Sequence, residues 1–365
     1  MKLITLVLLL AGLVLLVVGA EFLVKGASRV AAILRIPPLI VGLTIVAYGT
    51  SAPEMTVSII SASLGQGDIA MGNVVGSNIC NVLLILGLSA LITPLIVTKQ
   101  IIRSDVPIMI GVSVLLLLFS LDGQLTRVDS LILFIGGVVY TLSLIYQSRK
   151  QGTVPDEFTE EYSFSDRVTP SLWLKNIVSI VGGLALLVLG SRWLVDSAVT
   201  IARALQVNEL LIGLTIVAIG TSLPELATSL VASWRGERDI AIGNVLGSNI
   251  FNILAVLGVA GIVSPNGIEV SEALIKFDIP VAIAVAVACL PIFYSGRRID
   301  RWEGLLFLFY YVAYTVYLIL NATQAGALPE YINAMLWFVL PLTIITLAIV
   351  SVQEKRAANN RRKAD

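Results

Sequence analysis

The sequence predicts an all-α polytopic membrane protein made of two inverted-topology repeats of five transmembrane helices plus an eleventh, C-terminal helix. Three observations predict it. The mean hydropathy is +0.94 and 13% of residues are charged, a composition too apolar to hide inside one soluble core. Several apolar runs reach the roughly 18–20 residues that a helix needs to cross a bilayer, and they are continuous rather than alternating, against a strand barrel. The chain also repeats itself at a constant offset of 171 residues, which carries Gly19 to Gly190, Gly42 to Gly213, Glu54 to Glu225, Asp68 to Asp239, Gly76 to Gly247, Asn81 to Asn252 and Asp129 to Asp300. Between Ile40–Gly87 and Leu211–Gly258, 27 of 48 positions are identical without an insertion. Five spans per copy is an odd number, so the second copy is turned over in the membrane, as in many secondary transporters.

In chain order, spans are expected at about 3–24, 38–62, 70–94, 105–121, 129–147, 174–196, 210–233, 241–264, 277–294, 303–320 and 332–352. The N-terminal apolar stretch runs past Val17 without a small-residue cleavage site and reads as a first span rather than a removable signal. Residues 1–147 form the first repeat and 174–320 the second; 148–173 is a polar linker, and 321–365 holds the extra helix and a basic tail. The linker carries Asp156, Glu157, Glu160, Glu161 and Asp166, read as a solvated segment. Orientation follows from Lys and Arg. With the N-terminus outside, 19 of the 24 basic residues fall on the inner side, so the linker and the C-terminus are cytoplasmic.

Composition removes several functions. The formal net charge is zero, which implies no nucleic-acid partner, and there is no histidine. The two cysteines, Cys80 and Cys289, lie in apolar runs and build neither a disulfide framework nor a zinc site.

The chemistry concentrates in two matching stretches, GTSAPE at 49–54 and GTSLPE at 220–225. Each puts a carboxylate after a proline near the middle of a span. A charged side chain there costs about 2.5–3.5 kcal/mol on insertion scales. On a helix Ala47, Thr50, Ser51 and Glu54 share a face, as do Ser77 and Asn81 on the next span; Ala218, Thr221, Ser222, Glu225, Ser248 and Asn252 repeat the set. Every polar group in this stripe is an oxygen ligand, which suits a hard cation such as Na⁺, Ca²⁺ or Mg²⁺. Pro53 and Pro224 are expected to free the carbonyls of Gly49 and Gly220, and the GNxxGSN stretches at 72–78 and 243–249 to break the partner spans at matching depth. Asp68 and Asp239 read as helix N-caps at the membrane surface. No Lys or Arg lies in the central parts of spans two, three, seven or eight, so Glu54 and Glu225 have no basic partner. An intramembrane hydrolase would need a base beside the GTS serine, and no His or buried Lys is available.

The motifs GTSAPE and GTSLPE, with GNVVGSNICN and GNVLGSNIFN, resemble the α-repeats of the cation/Ca²⁺ exchanger superfamily, most closely the prokaryotic sodium/calcium exchangers. The resemblance covers residues 1 to about 320 and implies ten spans in two inverted halves, with the ions held between spans two, three, seven and eight. It implies that Glu54 and Glu225 ligate Ca²⁺, with oxygens from Thr50 and Thr221; that Ala47, Ser51, Ser77, Ala218, Ser222 and Ser248 line flanking Na⁺ sites with the two glutamates; and that Asn81 and Asn252 complete the centre. Asn252 stands where potassium-dependent members, and some prokaryotic ones, have an Asp, and the resemblance therefore points away from K⁺ co-transport. The expected function is therefore Na⁺/Ca²⁺ antiport by alternating access in a prokaryotic inner membrane, with Ca²⁺ and Na⁺ as transported ions, no cofactor, the lipid bilayer as surroundings and a monomer as the transport unit. A cation/H⁺ antiporter on the same scaffold is the alternative.

Overall fold

The computed structural model describes residues 3–150 and 170–346, except Ser295. It is helical throughout, apart from four two-residue strands. The first repeat holds α1 (Leu3–Leu34), α2 (38–63), α3 (Gly67–Ile92), α4 (Ile101–Ser120) and α5 (Arg127–Lys150). The second holds α6 (Pro170–Ala204), α7 (209–234), α8 (Arg238–Val263), α9 (Leu274–Tyr294) and α10 (Arg301–Ala322). A further helix, α11 (Leu328–Thr346), follows outside the repeat. It leans on α10 through the Tyr331 hydroxyl, which donates to the Ala313 carbonyl at 2.7 Å. Most of the predicted linker, and residues 347–352 of the last predicted span, lie outside the described residues.

Nine of these helices are long and apolar enough to cross a bilayer, among the described residues. The other two, α2 and α7, are each interrupted, which is why neither is one continuous helix. In α2 the break falls at Ser51, between Ala47–Thr50 and Ala52–Ser63. In α7 it falls at Thr221 and Ser222, between Ala218–Gly220 and Leu223–Trp234. Pro53 and Pro224 sit in the first turn of the restarted helix, where a missing N–H is harmless.

The expected breaks in α3 and α8 do not occur. Gly67–Cys80 and Arg238–Phe251 run as regular α-helix through both GNxxGSN stretches. Each then widens into a π-turn that begins at the repeated asparagine, Asn81–Leu86 and Asn252–Leu257. The glycines of α8 serve packing instead: a Cβ on Gly247 would lie 2.7 Å from the Leu43 carbonyl oxygen, so the α2 backbone lies directly on α8. The N-cap reading of Asp68 and Asp239 is also corrected. The caps are Gln66 and Glu237, and the aspartates fall in the first helical turn. Asp68 instead accepts from the backbone N–H of Ser271 at 3.2 Å.

Two short ribbons tie the repeats together. β1 (Leu95–Ile96) pairs antiparallel with β4 (Arg298–Ile299), and β2 (Gln124–Leu125) with β3 (Ile268–Glu269). Each joins a loop of one repeat to a loop of the other, so both loops of a pair lie on one face of the bundle. That parity is what inverted repeats require. The long helices α1 and α6 cross through glycines: a Cβ on Gly12 would sit 2.8 Å from the Gly190 carbonyl, and one on Gly183 2.7 Å from that of Gly19.

The repeats are alike in sequence but not in packing. On the β1–β4 face, Gly42 of α2 abuts Gly243 of α8, and Leu43, Val46 and Ala47 are buried. On the opposite face the equivalent glycines, Gly213 of α7 with Gly72 and Gly76 of α3, have nothing within 4 Å of an added Cβ. There Val217, the counterpart of Val46, is 48% exposed. Polar contacts fasten the closed face further: Arg235 Nε donates to Glu21 of α1 at 2.6 Å, and Ser28 Oγ donates to Glu237 at 2.9 Å.

The same asymmetry predicts unequal responses to one added methyl. Gly247→Ala should lower the thermal midpoint by about 2–6 °C, since a backbone oxygen must move. Gly76→Ala, in open space, should change it by less than about 1 °C. Thermal denaturation of the two purified variants is the check; equal shifts would contradict the asymmetric packing.

Candidate cation site

The two helix breaks bring the predicted residues together. Each break ends one half-helix and starts another, so Glu54 and Glu225 fall in the first turn of a helix, where the dipole is positive. Both are completely buried. Each is held by the opposite repeat: Ser222 Oγ donates to Glu54 Oε1 at 3.1 Å, and Ser51 Oγ donates to Glu225 Oε1 at 2.9 Å. Ser77 stands beside the first pair, 3.5 Å from Glu54 Oε1 and 3.1 Å from Ser222 Oγ. The crossed bonds place the carboxylates side by side where α2 meets α7. Among the described residues no Lys or Arg belongs to the buried set, so neither charge is neutralised by a side chain.

Four asparagines close the other side. Asn78 Nδ2 donates to the Asn249 carbonyl at 3.1 Å, and Asn249 Nδ2 returns to the Asn78 carbonyl at 3.3 Å. Their remaining Oδ1 atoms accept from Asn252 Nδ2 at 3.1 Å and from Asn81 Nδ2 at 3.0 Å. The amide nitrogens of Asn81 and Asn252 are therefore engaged, and their oxygens are left over. At this centre four buried carboxylate and carboxamide oxygens have no hydrogen-bond partner: Glu54 Oε2, Glu225 Oε2, Asn81 Oδ1 and Asn252 Oδ1. Ser248 Oγ is a fifth. An unsatisfied buried acceptor costs about 1–3 kcal/mol, more when charged. Two carboxylate and two carboxamide oxygens without partners among four packed helices match the oxygen chemistry that a hard cation takes.

The remaining predicted residues fall around this centre unequally. Thr50 is fully buried and donates to Asn244 Oδ1 at 3.0 Å, while Thr221 is half-buried and donates to Asn73 Oδ1 at 3.2 Å. Ala47 is buried under α8; its counterpart Ala218 is exposed on the open face. The expected free carbonyls are corrected: that of Gly220 accepts from Ser191 Oγ of α6 at 2.7 Å, and that of Gly49 accepts a backbone N–H at the end of its half-helix. Sequence reasoning missed Ser191, Asn73, Asn78, Asn244 and Asn249. The four asparagines had a signal, because each recurs at the 171-residue offset inside the same motif as Asn81 and Asn252.

Residues 4–147 and 175–320 match the sodium/calcium exchanger protein family. The chain belongs to that family. It is 44% identical over 313 residues to the putative antiporter CaxA of Alkalimonas amylolytica, across 86% of this chain and 98% of that protein. It is 34% identical over 347 residues to the sodium/calcium exchanger MaX1 of Methanosarcina acetivorans, across 86% and 98%. Among solved structures it is similar to the sodium-calcium exchanger NCX_Mj, with a TM-score of 0.73 and 30% identity over 86% of this chain and 98% of that one. The chain is thus a multi-pass membrane transporter of the cation/Ca²⁺ exchange class. It is not an enzyme, and the family exchanges Na⁺ and Ca²⁺ without a cofactor.

The unsatisfied carboxamide oxygens give a direct test. Asn81→Leu and Asn252→Leu keep the branched heavy-atom skeleton and remove one unpartnered oxygen each, together with the amide that holds it in place. Each should weaken Ca²⁺ binding about tenfold or more, read as the Ca²⁺ concentration needed for half-maximal thermal stabilisation. Binding at the unaltered concentration in both variants would remove these residues from the site.

Proposed function

We propose that the protein exchanges Na⁺ for Ca²⁺ at this site by alternating access, without K⁺, in a prokaryotic inner membrane. The observation that carries the proposal is the pair of buried carboxylates, each with one unpartnered oxygen and no buried basic residue near it. Two such groups carry a charge of about −2, which one Ca²⁺ or a small set of Na⁺ neutralises. The two loads therefore compete. Empty, the site keeps an uncompensated charge in a low-dielectric interior, which opposes closure around nothing. That is what obliges one ion to be traded for the other. Ca²⁺ takes six to eight oxygens in flexible geometry. Glu54, Glu225, Asn81 and Asn252 offer the central oxygens; Thr50 and Thr221 add two more. Ser51, Ser77, Ser222 and Ser248, with the backbone at Ala47 and Ala218, flank them as Na⁺ ligands.

The unequal packing of the repeats supports the access cycle. Residues 42–47 are closed against α8, while residues 213–218 are released from α3. Exchanging the two conformations between repeats would open the β1–β4 face and close the other. The α1–α6 pair would shift as a unit, because its glycine crossing joins two smooth helices. Such a shift breaks the Glu21–Arg235 and Ser191–Gly220 contacts. The excess of Lys and Arg supports a cytoplasmic β1–β4 face, with the N-terminus outside and the C-terminus inside. Asn252 keeps the centre at two formal charges, in favour of K⁺ independence. The stoichiometry of about three Na⁺ per Ca²⁺ that the family resemblance implies would make the cycle electrogenic, and an inward Na⁺ gradient would then extrude Ca²⁺. The complete site lies within one chain, in keeping with a monomer as the transport unit, and α11 would cross the membrane outside the exchange unit.

The test is ⁴⁵Ca²⁺ uptake into proteoliposomes loaded in turn with Na⁺, K⁺ or acid. Uptake is expected with internal Na⁺ alone, unchanged by K⁺, and abolished by Glu54→Gln or Glu225→Gln. Uptake driven by a pH gradient alone would make the protein a Ca²⁺/H⁺ antiporter. Undiminished uptake by both glutamine variants would remove the site.

A further inference from the structure

We propose that Asn73 and Asn244 are positioning residues that set the polarity of the two threonines, an inference that rests on reading Thr50 and Thr221 as cation ligands. A hydroxyl carries one proton and two lone pairs. It ligates a cation when the proton points away and repels one when the proton points in. A threonine ligand therefore needs an acceptor outside the site that takes its proton.

For Thr50 that acceptor is Asn244, and the geometry leaves it no choice of direction. Asn244 Nδ2 lies 3.3 Å from the backbone carbonyl of Glu225 and 2.9 Å from Ser229 Oγ. A backbone carbonyl can only accept, so the amide nitrogen must face it and the carboxamide cannot flip. Oδ1 then faces Thr50 Oγ1 at 3.0 Å. A carboxamide oxygen also can only accept, so Thr50 must donate. The Glu225 carboxylate stands beside the same hydroxyl and competes for its proton, so Asn244 decides which way the hydroxyl turns.

The other repeat contains the same relay. Thr221 Oγ1 donates to Asn73 Oδ1 at 3.2 Å, and Asn73 Nδ2 donates to the Glu54 carbonyl at 3.2 Å and to Ser58 Oγ at 2.9 Å. Ser58 passes its own proton to the Ala70 carbonyl at 3.3 Å. The hydrogen bonds of this relay run from Thr221 to Asn73 and from Asn73 to the Glu54 backbone and Ser58, not to the Glu54 carboxylate. Each relay also crosses the repeats: the asparagine braces the glutamate of its own half and orients the threonine of the other.

Without Asn244, the Thr50 proton has two acceptors left. One is the Ala47 carbonyl, already 3.4 Å away, and the other is the Glu225 carboxylate. Both are oxygens of the cation site. The proton would then occupy a ligand and Thr50 would lose its orientation, so one substitution weakens two ligands. It does so through Thr50, which is what makes the effect separable from loosened packing.

The experiment is a double-mutant cycle with Thr50→Val and Asn244→Leu, each of which keeps the branching and heavy-atom count of the native side chain. Ca²⁺ affinity is read by titration of the purified proteins and as the KM of Na⁺-driven ⁴⁵Ca²⁺ uptake. Each single variant should raise both constants about tenfold. The double variant should be no worse than the poorer single, because the asparagine acts through the threonine. Losses that multiply, or an Asn244→Leu protein with unaltered Ca²⁺ affinity, would overturn the inference. The cycle of Thr221→Val with Asn73→Leu repeats the test at the half-buried position if Asn244→Leu does not fold. A wild-type protein that binds Ca²⁺ but shows no Na⁺-driven uptake fails the exchange reading, while the cycle is still decided by binding. One that binds no Ca²⁺ overturns both.

Discussion

Two carboxylates with no basic partner, buried where a bilayer would surround them, set the terms for the rest of the chain. Glu54 and Glu225 would be expelled from a plain transmembrane helix. They stay because α2 and α7 stop and restart beside them, which puts each in the first turn of a half-helix, and because a serine of the opposite repeat donates to one oxygen of each. That leaves the other oxygen of each unsatisfied. The fold thus meets half of the carboxylates' demand and leaves the rest for a cation. Full satisfaction by Lys or Arg would give a stable helix pair with nothing to carry.

A duplicated sequence with unequal packing is the second constraint. Gly42, Gly243 and Gly247 allow α2 to lie on α8, and the equivalent glycines of α7 and α3 are present but unused. Either repeat therefore has the residues for the closed arrangement. The contacts that distinguish the faces lie outside the matching positions. Glu21 and Arg235 pair on the closed face, whereas the same offset gives Arg192 and Leu64, which cannot pair. Ser191 holds the Gly220 carbonyl, whereas its counterpart is Ala20. Symmetric positions build the buried cluster of carboxylate and carboxamide oxygens, and asymmetric ones hold one face shut.

Much of this was legible in the sequence because it depends on local spacing. Apolar run length gave ten of the spans, the 171-residue offset gave the inversion, and helical periodicity put Thr50, Ser51 and Glu54 on one face. What failed depended on partners from elsewhere in the chain. A glycine-rich run reads equally as a break or as a packing surface; only the approach of α2 to Gly243 and Gly247 makes it the second. The carbonyl of Gly220 is free by local rules, and Ser191 of another helix takes it. Asn73, Asn78, Asn244 and Asn249 repeat as faithfully as Asn81 and Asn252, but each also bonds to the opposite repeat, which no spacing along one helix reveals.

Those cross-repeat bonds also explain why the site offers oxygen rather than nitrogen. A carboxamide presents either group, and an unconstrained Asn81 or Asn252 would turn its amide toward two neighbouring carboxylates. Electrostatics favours that arrangement in the absence of a cation, and it would block the site. Here the amide nitrogens are already committed to Asn249 and Asn78, whose own orientations are fixed by backbone carbonyls that can only accept. The oxygens are held facing inward against the local field. Keeping four acceptors together without a donor is unfavourable, and a positive ion among them would relieve it. In the proposed site, selectivity for a cation would then be built one layer behind the ligands, in asparagines that need not touch the ion.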